Sequence, residues 1–442
     1  MLGAGGLTAP PESFDLATDR RMDLRFASRA ELAIDAPAAV VDWVKADAVP
    51  LATAEAGHGI ADLDRFASAI GKARIVAVGE ATHGTREFSQ LKHRMLEYLV
   101  TRHGFSVFAI ESQYGEVTTL NDYVVDGKGD IDAALGSLFG IWKTEEVRAM
   151  IEWMRAWNAD PAHTTKLRVY GVDVQESASS SAAALAYLQR VDPDEAKRVE
   201  TWLAPLAADP QDTAYLALPA PQRKAIRDGL AALLVRFDRN AARYAKASSK
   251  RDHILARQHV NVLRQHELLL DPPPGAAGYV TRDKGMAENL AWIVETAEPG
   301  ARVVFWAHNG HVSRTGYDGW TSVGQRTAKR FGRDYLSIGF VWNQGGFRAA
   351  SPGGKRLHTV GPESTGGIGA TLARAGIPLL ALDLRRAPRG PVRAWFDAPH
   401  FTRDIGATYT TDLNMEGVFH LSRQFDAILF VDTTSAPKDL RR

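Results

Sequence analysis

The chain has 442 residues, 45% of them hydrophobic and 24% charged, which is ample apolar material for a large core with one substantial elaboration. Lys plus Arg (53) nearly balance Asp plus Glu (52), and a formal net charge of +1 provides no electrostatic footprint for nucleic acid or an anionic membrane. The absence of cysteine excludes disulfides, thiolate metal sites and a cysteine nucleophile together, so any metal would need His, Asp and Glu.

From the N-terminus, residues 1–35 carry Gly, Pro and alternating charges but no continuous apolar core of the signal-peptide kind. No apolar run approaches the roughly 20 residues of a membrane span. These features predict a cytoplasmic protein with a partly disordered N-terminal extension over 1–50 and no membrane or nucleic-acid partner. Oligomeric state is not legible in the sequence.

Seven short apolar runs rich in β-branched residues alternate with helical patterns: 74–79, 106–110, 167–172, 303–307, 336–341, 379–384 and 427–431. This alternation predicts an α/β fold with a largely parallel central sheet and flanking helices. After the first run, Phe88, Leu91, Met95 and Leu99 fall at helical spacing and face the sheet. A second helix is predicted over 145–158, with Thr144 as N-cap and Glu145 and Glu146 in its first turn. The stretch 177–271 is dominated by Ala, Leu, Arg and Gln and has almost no strand signal. It predicts a helical insertion over the carboxyl ends of the strands, forming a lid or one wall of a cleft. The Pro272-Pro273-Pro274-Gly275 stretch marks its exit. The expected organisation is thus a core in two parts, 51–176 and 276–442, divided by an insertion over 177–275. There is no fixed-period repeat.

Ligands of open α/β sheets bind beyond the carboxyl ends of the strands. There the first run delivers Gly79-Glu80-Ala81-Thr82-His83-Gly84, the second Glu111, the third Asp173, and the fourth His308-Asn309-Gly310-His311. Each acid or histidine taken singly reads as a cap or a structural side chain. Together they would put several uncompensated charges in a partly buried cleft, which costs stability unless they pair or function. His83 precedes a helix starting near Thr85 or Arg86, whose positive end disfavours imidazolium and keeps a neutral base available. Glu80 or Glu111 is placed to accept its second N–H. Lys92 lies within the apolar stripe of the first helix. Either its stem runs along the sheet to water, or its ammonium pairs with Glu111 or Glu80 or polarises a substrate carbonyl.

No Gly-x-Ser-x-Gly elbow, His-Glu-x-x-His helix or Walker loop is present, so a serine hydrolase, a zincin and a P-loop enzyme lose support. The Gly366-Gly367-Ile368-Gly369 stretch before a helix has the composition of a phosphate cradle, but standing alone it reads as a flexible loop. His308 and His311 have a spacing seen in metal sites, without a third clustered ligand. No metal and no cofactor are expected.

The stretch Gly79-Glu80-Ala81-Thr82-His83-Gly84-Thr85-Arg86-Glu87-Phe88 resembles the signature of the erythromycin esterase family. Further matches follow in order: the run into Glu111, Trp142-Lys143-Thr144-Glu145-Glu146 with Trp153, Arg282-Asp283 with Met286, Ala287 and Asn289, and Ala307 to His311. Gly324, Phe331-Gly332-Arg333-Asp334-Tyr335 with Gly339-Phe340, and Phe425-Asp426-Ala427 into Asp432 complete a resemblance over about 51–440. It implies a hydrolase that opens a macrolide's lactone ester with activated water, without a covalent acyl-enzyme and generally without a required metal. It places His83 as general base, with Glu80, Glu111 and His308 as its partners. Lys92 stands where some members have arginine, a change that keeps the charge but loses the planar fork. The glycine-rich region 361–369 is the least regular departure and is expected to reshape the cleft rim.

The catalytic set expected from the sequence is therefore His83, Glu80, Glu111, His308 and Lys92, with Lys92, Arg282 or His308 stabilising an oxyanion. Arg282, Asp173, Asn309 and His311 are placed as substrate-binding residues. The partner is a small molecule, a macrolide or another bulky natural product. Two other readings use the same residues: a tailoring enzyme of secondary metabolism performing cyclisation, elimination or acyl transfer, and a non-catalytic small-molecule or metal-binding protein.

Overall fold

Strands buried on both faces need continuous apolar sequence, and all seven apolar runs are strands of one sheet in the computed structural model. The structure describes residues 34–208, 211–272, 278–316, 320–411 and 416–440. Most of the N-terminal extension (1–33) and residues 273–275 of the insertion's exit lie outside the described residues. In chain order the strands are β1 (Val49–Pro50), β2 (Ile75–Val78), β3 (Val107–Gln113), β4 (Arg168–Asp173), β5 (Val303–Trp306), β6 (Tyr335–Arg348), β7 (Leu357–Val360), β8 (Leu379–Asp383), β9 (His400–Arg403), β10 (Glu416–Phe419) and β11 (Ala427–Thr434). The main sheet runs β1-β8-β11-β6-β2-β5-β3-β4, with β7 on β6, while β9 and β10 form a separate antiparallel pair. From β11 to β4 every pairing is parallel; β8 on β11, β1 on β8 and β7 on β6 are antiparallel.

Alternate residues of each strand serve opposite layers. Val76, Val78, Phe108, Ile110, Val304 and Trp306 pack on one side. Ile75, Ala77, Val107, Ala109, Val303 and Phe305 pack on the other. The helices used below are α1 (Ala38–Asp47), α2 (Arg86–His103), α3 (Glu145–Ala159), α4 (Ala178–Val191), α5 (Pro193–Leu203), α6 (Ala220–Arg239), α7 (Lys250–Leu270), α8 (Gly278–Trp292) and α9 (Asn309–Val312). Phe88, Leu91, Met95 and Leu99 of α2 join the first layer, and Met286 and Leu290 of α8 the second. The Thr144 side chain caps α3 by accepting from the Val147 N–H at 3.3 Å.

The core also begins earlier than the sequence suggests. Residues 38–50, read with the N-terminal extension, bury Val40, Val41 and Val44 of α1 and add β1 to the edge of β8. A two-residue strand is too short to carry a periodic signal, and β7 buries only alternate residues, so it lacks the continuous apolar run of the others.

Helices α4 to α7 enclose a separate apolar cluster that includes Leu188, Val199, Leu230, Phe237 and Leu263. They are tied to the carboxyl end of β4. His266 Nδ1 lies 2.8 Å from the Val174 carbonyl and its Nε2 2.9 Å from Asp212 Oδ1. Gln258 bonds Asn289 of α8 (2.7 Å), which in turn donates to the Val172 carbonyl (2.9 Å). Among the described residues no helix is long and apolar enough to cross a membrane.

Candidate active site

The turn from β2 into α2 presents His83, and its shape depends on Gly84. A Cβ there would fall 1.8 Å from the Arg348 carbonyl oxygen, while the Arg348 N–H donates to the Gly84 carbonyl at 2.7 Å. The end of β6 thus presses directly on the His83 turn, a close approach only glycine permits. Asn309 braces the same turn from the opposite strand. Its backbone N–H donates to the Glu80 carbonyl (2.9 Å), its Nδ2 to the Phe340 carbonyl (2.8 Å), and its Oδ1 accepts from the Phe340 N–H (3.0 Å). The buried Asn309 amide is therefore spent at both ends on β6, and the substrate-binding role expected for it gives way to a structural one.

Glu80 is the hub of the first half of the site. Its Oε1 lies 2.5 Å from His83 Nδ1, and its Oε2 accepts from Lys92 Nζ (2.8 Å) and Trp306 Nε1 (3.1 Å). With Nδ1 against a carboxylate, the neutral ring carries its hydrogen on Nδ1 and its lone pair on Nε2. Of the two acids considered for holding His83, the structure selects Glu80. Lys92 also selects Glu80: it is almost fully buried, with its ammonium 4.2 Å above the Trp306 ring. Burial lowers the ammonium to about 8 in spite of Glu80. Enclosed in this way, Lys92 acts on Glu80 and is shielded from a substrate carbonyl.

Glu111 anchors the second half. Its Oε2 accepts the His308 backbone N–H (2.9 Å), and its Oε1 faces Arg282 Nη2 (2.9 Å) and His311 Nε2 (3.2 Å). Burial opposes its charge, but His311 and Arg282 outweigh that and hold the carboxyl well below the usual carboxylate range. Arg282 also forks onto the fully buried Asp173, through Nε at 3.1 Å to one oxygen and 3.2 Å to the other. The Asp173 carboxylate expected at a substrate is thus occupied by Arg282. His311 sits between Glu111 and Asp283, with Nδ1 2.8 Å from the Asp283 carboxylate. Although burial disfavours imidazolium, the two carboxylates raise His311 to about 10. A doubly protonated ring donates to both acids, so its contact with Arg282 Nη1 (3.2 Å) is a proximity of two cations sharing Glu111.

This charge state has a measurable consequence. The folded ring holds its proton far above the ordinary 6.5, so its contribution to stability is complete below about pH 6.5 and is lost as pH rises through about 10. The difference in unfolding free energy between wild type and His311→Gln should be largest near about pH 6 and shrink steadily toward about pH 10. Urea titrations across that range give the answer, and a difference independent of pH would remove the imidazolium.

His308 differs from His311 although only three residues separate them. Burial first, and then the neighbouring His83, hold its imidazole well below the usual value, so it is neutral. Its Nδ1 accepts the Gly310 N–H at 3.2 Å, capping α9, which leaves the ring hydrogen on Nε2. That N–H lies 3.4 Å from Asp404 Oδ1. The His83 and His308 rings stand 5.2 Å apart, and the buried Trp142, whose indole donates to the Glu111 carbonyl (3.2 Å), lies edge-on to His83 at 5.3 Å. His83, His308, Asp404 and Arg282 keep partial solvent exposure, 9 to 18% of their side chains, whereas Glu80, Lys92, Asp173 and Asp283 are at 2% or below.

The structure brings together all nine site residues expected from the sequence and adds Trp142, Trp306, Asp283 and Asp404. Asp283 and Trp142 had a signal, since both lie in stretches that carry the family resemblance, and Trp306 is the last residue of β5. Asp404 had none, since it follows a short strand unseen in the sequence. The glycine-rich loop takes a different part from a phosphate cradle: the Gly369 N–H donates to the buried Glu363 carboxylate at 2.6 Å. Glu363 also accepts from Thr402 and the Arg403 N–H, each at 2.8 Å, and burial raises it to about 7. The chain's own carboxylate fills the anion position. Among the described residues no three His, Asp or Glu side chains are grouped to hold a metal ion.

The fold and this site define an α/β protein with a buried histidine-carboxylate array at the carboxyl ends of its parallel strands. The erythromycin esterase family model matches residues 100–434, and the chain belongs to that family of hydrolases. A relative, the putative hydrolase YbfO of Bacillus subtilis (strain 168), is 23% identical over 420 residues, covering 88% of this chain and 90% of its own. Erythromycin esterase type II of Escherichia coli is 24% identical over 338 residues, covering 70% and 79%. A crystal structure of a Bacillus cereus protein superposes with a TM-score of 0.84 at 25% identity, covering 91% of this chain and 99% of that one.

Proposed function

We propose that the protein cleaves an ester, of the macrolactone type, in a bulky natural product by attack of a histidine-activated water, without a covalent acyl-enzyme. One observation carries this reading: Glu80 holds His83 through Nδ1 at 2.5 Å, leaving the Nε2 lone pair as the base. No serine or threonine hydroxyl is hydrogen-bonded to His83 among the described residues, and the chain has no cysteine, so water is the nucleophile at hand. The likeness to erythromycin esterase type II supports the substrate class.

In this mechanism His83 Nε2 takes a proton from water as its oxygen adds to the ester carbonyl, and Glu80 stabilises the resulting imidazolium. Lys92 and Trp306 fix the second Glu80 oxygen, so they act as positioning residues through Glu80. Arg282, the most exposed of the charged groups in the array, is the cation nearest solvent for the developing oxyanion. Collapse of the tetrahedral intermediate expels the alkoxide, which takes the proton back from His83. The insertion of α4 to α7, tied to the end of β4, is placed to form the wall that selects the substrate.

The test is incubation with erythromycin A and, separately, 4-nitrophenyl butyrate, followed by mass spectrometry of products and of rapidly quenched protein. The expected product carries the mass of one added water, and the protein mass is unchanged. A protein heavier by the acyl group would replace direct water attack with covalent catalysis. Intact esters together with an isomerised or acyl-transferred product would favour a tailoring enzyme.

A further inference from the structure

Residues 404–411, which follow β9, are stitched onto both supports of the His83 turn. The Ile405 N–H donates to the Ala81 carbonyl (2.5 Å) and Ile405 bridges Thr82, while Ala350, just beyond β6, exchanges bonds with Ala407 (2.8 Å) and Tyr409 (2.7 Å). This stitching sets two residues against the reacting histidines. Asp404 places Oδ1 3.4 Å from His308 Nε2. Gly406 lies over His83: among the described residues, a Cβ built there would have His83 Nε2, at 4.0 Å, as its single neighbour within that distance.

His308 Nε2 is buried and has no hydrogen-bond partner among the described groups, although its hydrogen is fixed there by the Gly310 bond to Nδ1. A buried donor without an acceptor is costly, and this one lies 3.4 Å from the Asp404 carboxylate on a ring 5.2 Å from that of His83. Those three groups match the needs of a single water molecule: a donor to its oxygen and two acceptors for its hydrogens.

Building on the hydrolytic reading above, we propose that Asp404 is a further catalytic residue: with His308 and His83 it holds the attacking water, and Gly406 lacks a side chain so that water and ester reach His83. In the step itself, one water O–H bond breaks with its proton passing to His83 Nε2, and the oxygen lone pair forms the new bond to the carbonyl carbon. The carbonyl–alkoxide bond then breaks, and the alkoxide leaves with the His83 proton. Asp404 accepts the second water hydrogen as a hydrogen bond throughout and does not take it. Its charge orients the oxygen lone pair toward the ester, on the side away from the oxyanion.

The experiment uses the full chain with 4-nitrophenyl butyrate. Asp404→Ala and Asp404→Asn should lower kcat by about 10- to 100-fold with KM within about twofold. Formate, an external carboxylate, should restore part of kcat in Asp404→Ala and nothing in His83→Ala. Gly406→Ala should stay close to wild type, and Gly406→Val should lose about 100-fold or more in kcat at an unchanged melting temperature. A kcat within about threefold for both Asp404 variants, or wild-type kcat in Gly406→Val, overturns the proposal. A second readout needs no substrate: in 15N-histidine spectra of the free protein, Asp404→Ala should move the His308 Nε2 resonance and leave His311 in place. If wild type hydrolyses neither ester but the resonance moves, the hydrolytic reading has failed while the pairing of Asp404 with His308 stands. An unmoved resonance rejects the placement of Asp404 whatever the activity.

Discussion

His83→Ala is expected to lower kcat for ester hydrolysis by about 10³- to 10⁴-fold, the loss typical when a general base is removed and binding is left intact. KM should change little, because His83 contributes a lone pair to water and not a large contact to the ester. The fold should survive. His83 is a turn residue whose side chain, among the described residues, is hydrogen-bonded to Glu80, and Glu80 keeps Lys92 and Trp306 when that bond is gone. Circular dichroism and a melting curve beside steady-state kinetics separate the two effects. Free imidazole should restore part of the rate by entering the space left by the ring. A variant within about threefold of wild type would show that another group activates water and would sink the central role of Glu80.

The second large effect is on stability. Arg282→Ala should cost ~3–5 kcal/mol, the range for removing one partner of a buried ion pair. The cost comes chiefly from what is left behind. Asp173 is fully buried and Glu111 nearly so, and without the guanidinium both lose the cation that bridges them. His311 still faces Glu111, but Asp173 has no such replacement cation in its hydrogen bonds, which are with the Val174 N–H, Gln175 and Arg282. Two further variants isolate the cause. Asp173→Asn on the Arg282→Ala background should recover part of the loss, because it removes the stranded charge. Arg282→Lys should fall between the two, since an ammonium keeps the charge but cannot fork onto Asp173 while reaching Glu111. Urea unfolding of wild type, these three variants and Asp173→Asn alone closes the cycle. An additive cycle would show that Arg282 stabilises through packing alone.

His83 and Arg282 belong to different halves of one constellation. Glu80 serves His83 and Lys92, whereas Glu111 serves Arg282, His311 and the His308 backbone. The first half is built on a base whose lone pair faces the reaction. The second is a buried array in which Glu111, Asp173 and Asp283 surround Arg282 and His311. That two histidines three residues apart differ in charge follows from their neighbours. His311 has carboxylates within 3.2 Å of both nitrogens, while His308 has a backbone N–H at one, Asp404 only at 3.4 Å from the other, and His83 nearby opposing a proton.

The sequence by itself determined the seven strands, because a sheet buried on both faces demands continuous apolar runs that water-exposed segments lack. Their largely parallel pairing follows from the helical stretches between them, and parallel order places Glu80, Glu111, Asp173 and His308 at one end. The helical character of 177–271 was equally legible from composition and spacing. Four strands were not: β1 has only two residues, and β7, β9 and β10 mix polar with apolar residues and so lack the continuous apolar run that marks β2 and β5 at the same length. Tertiary structure decided the pairings: that Glu80 and not Glu111 holds His83, that Lys92 is enclosed with Trp306, and that Asn309 braces β6. It also decided the placement of Asp404 and Gly406, which lie more than 300 residues from His83 along the chain. The physical reason is that apolar periodicity is a local property of the chain. The partner of a buried charge is fixed by distances of a few ångströms between side chains on different strands, and no spacing along the sequence encodes them.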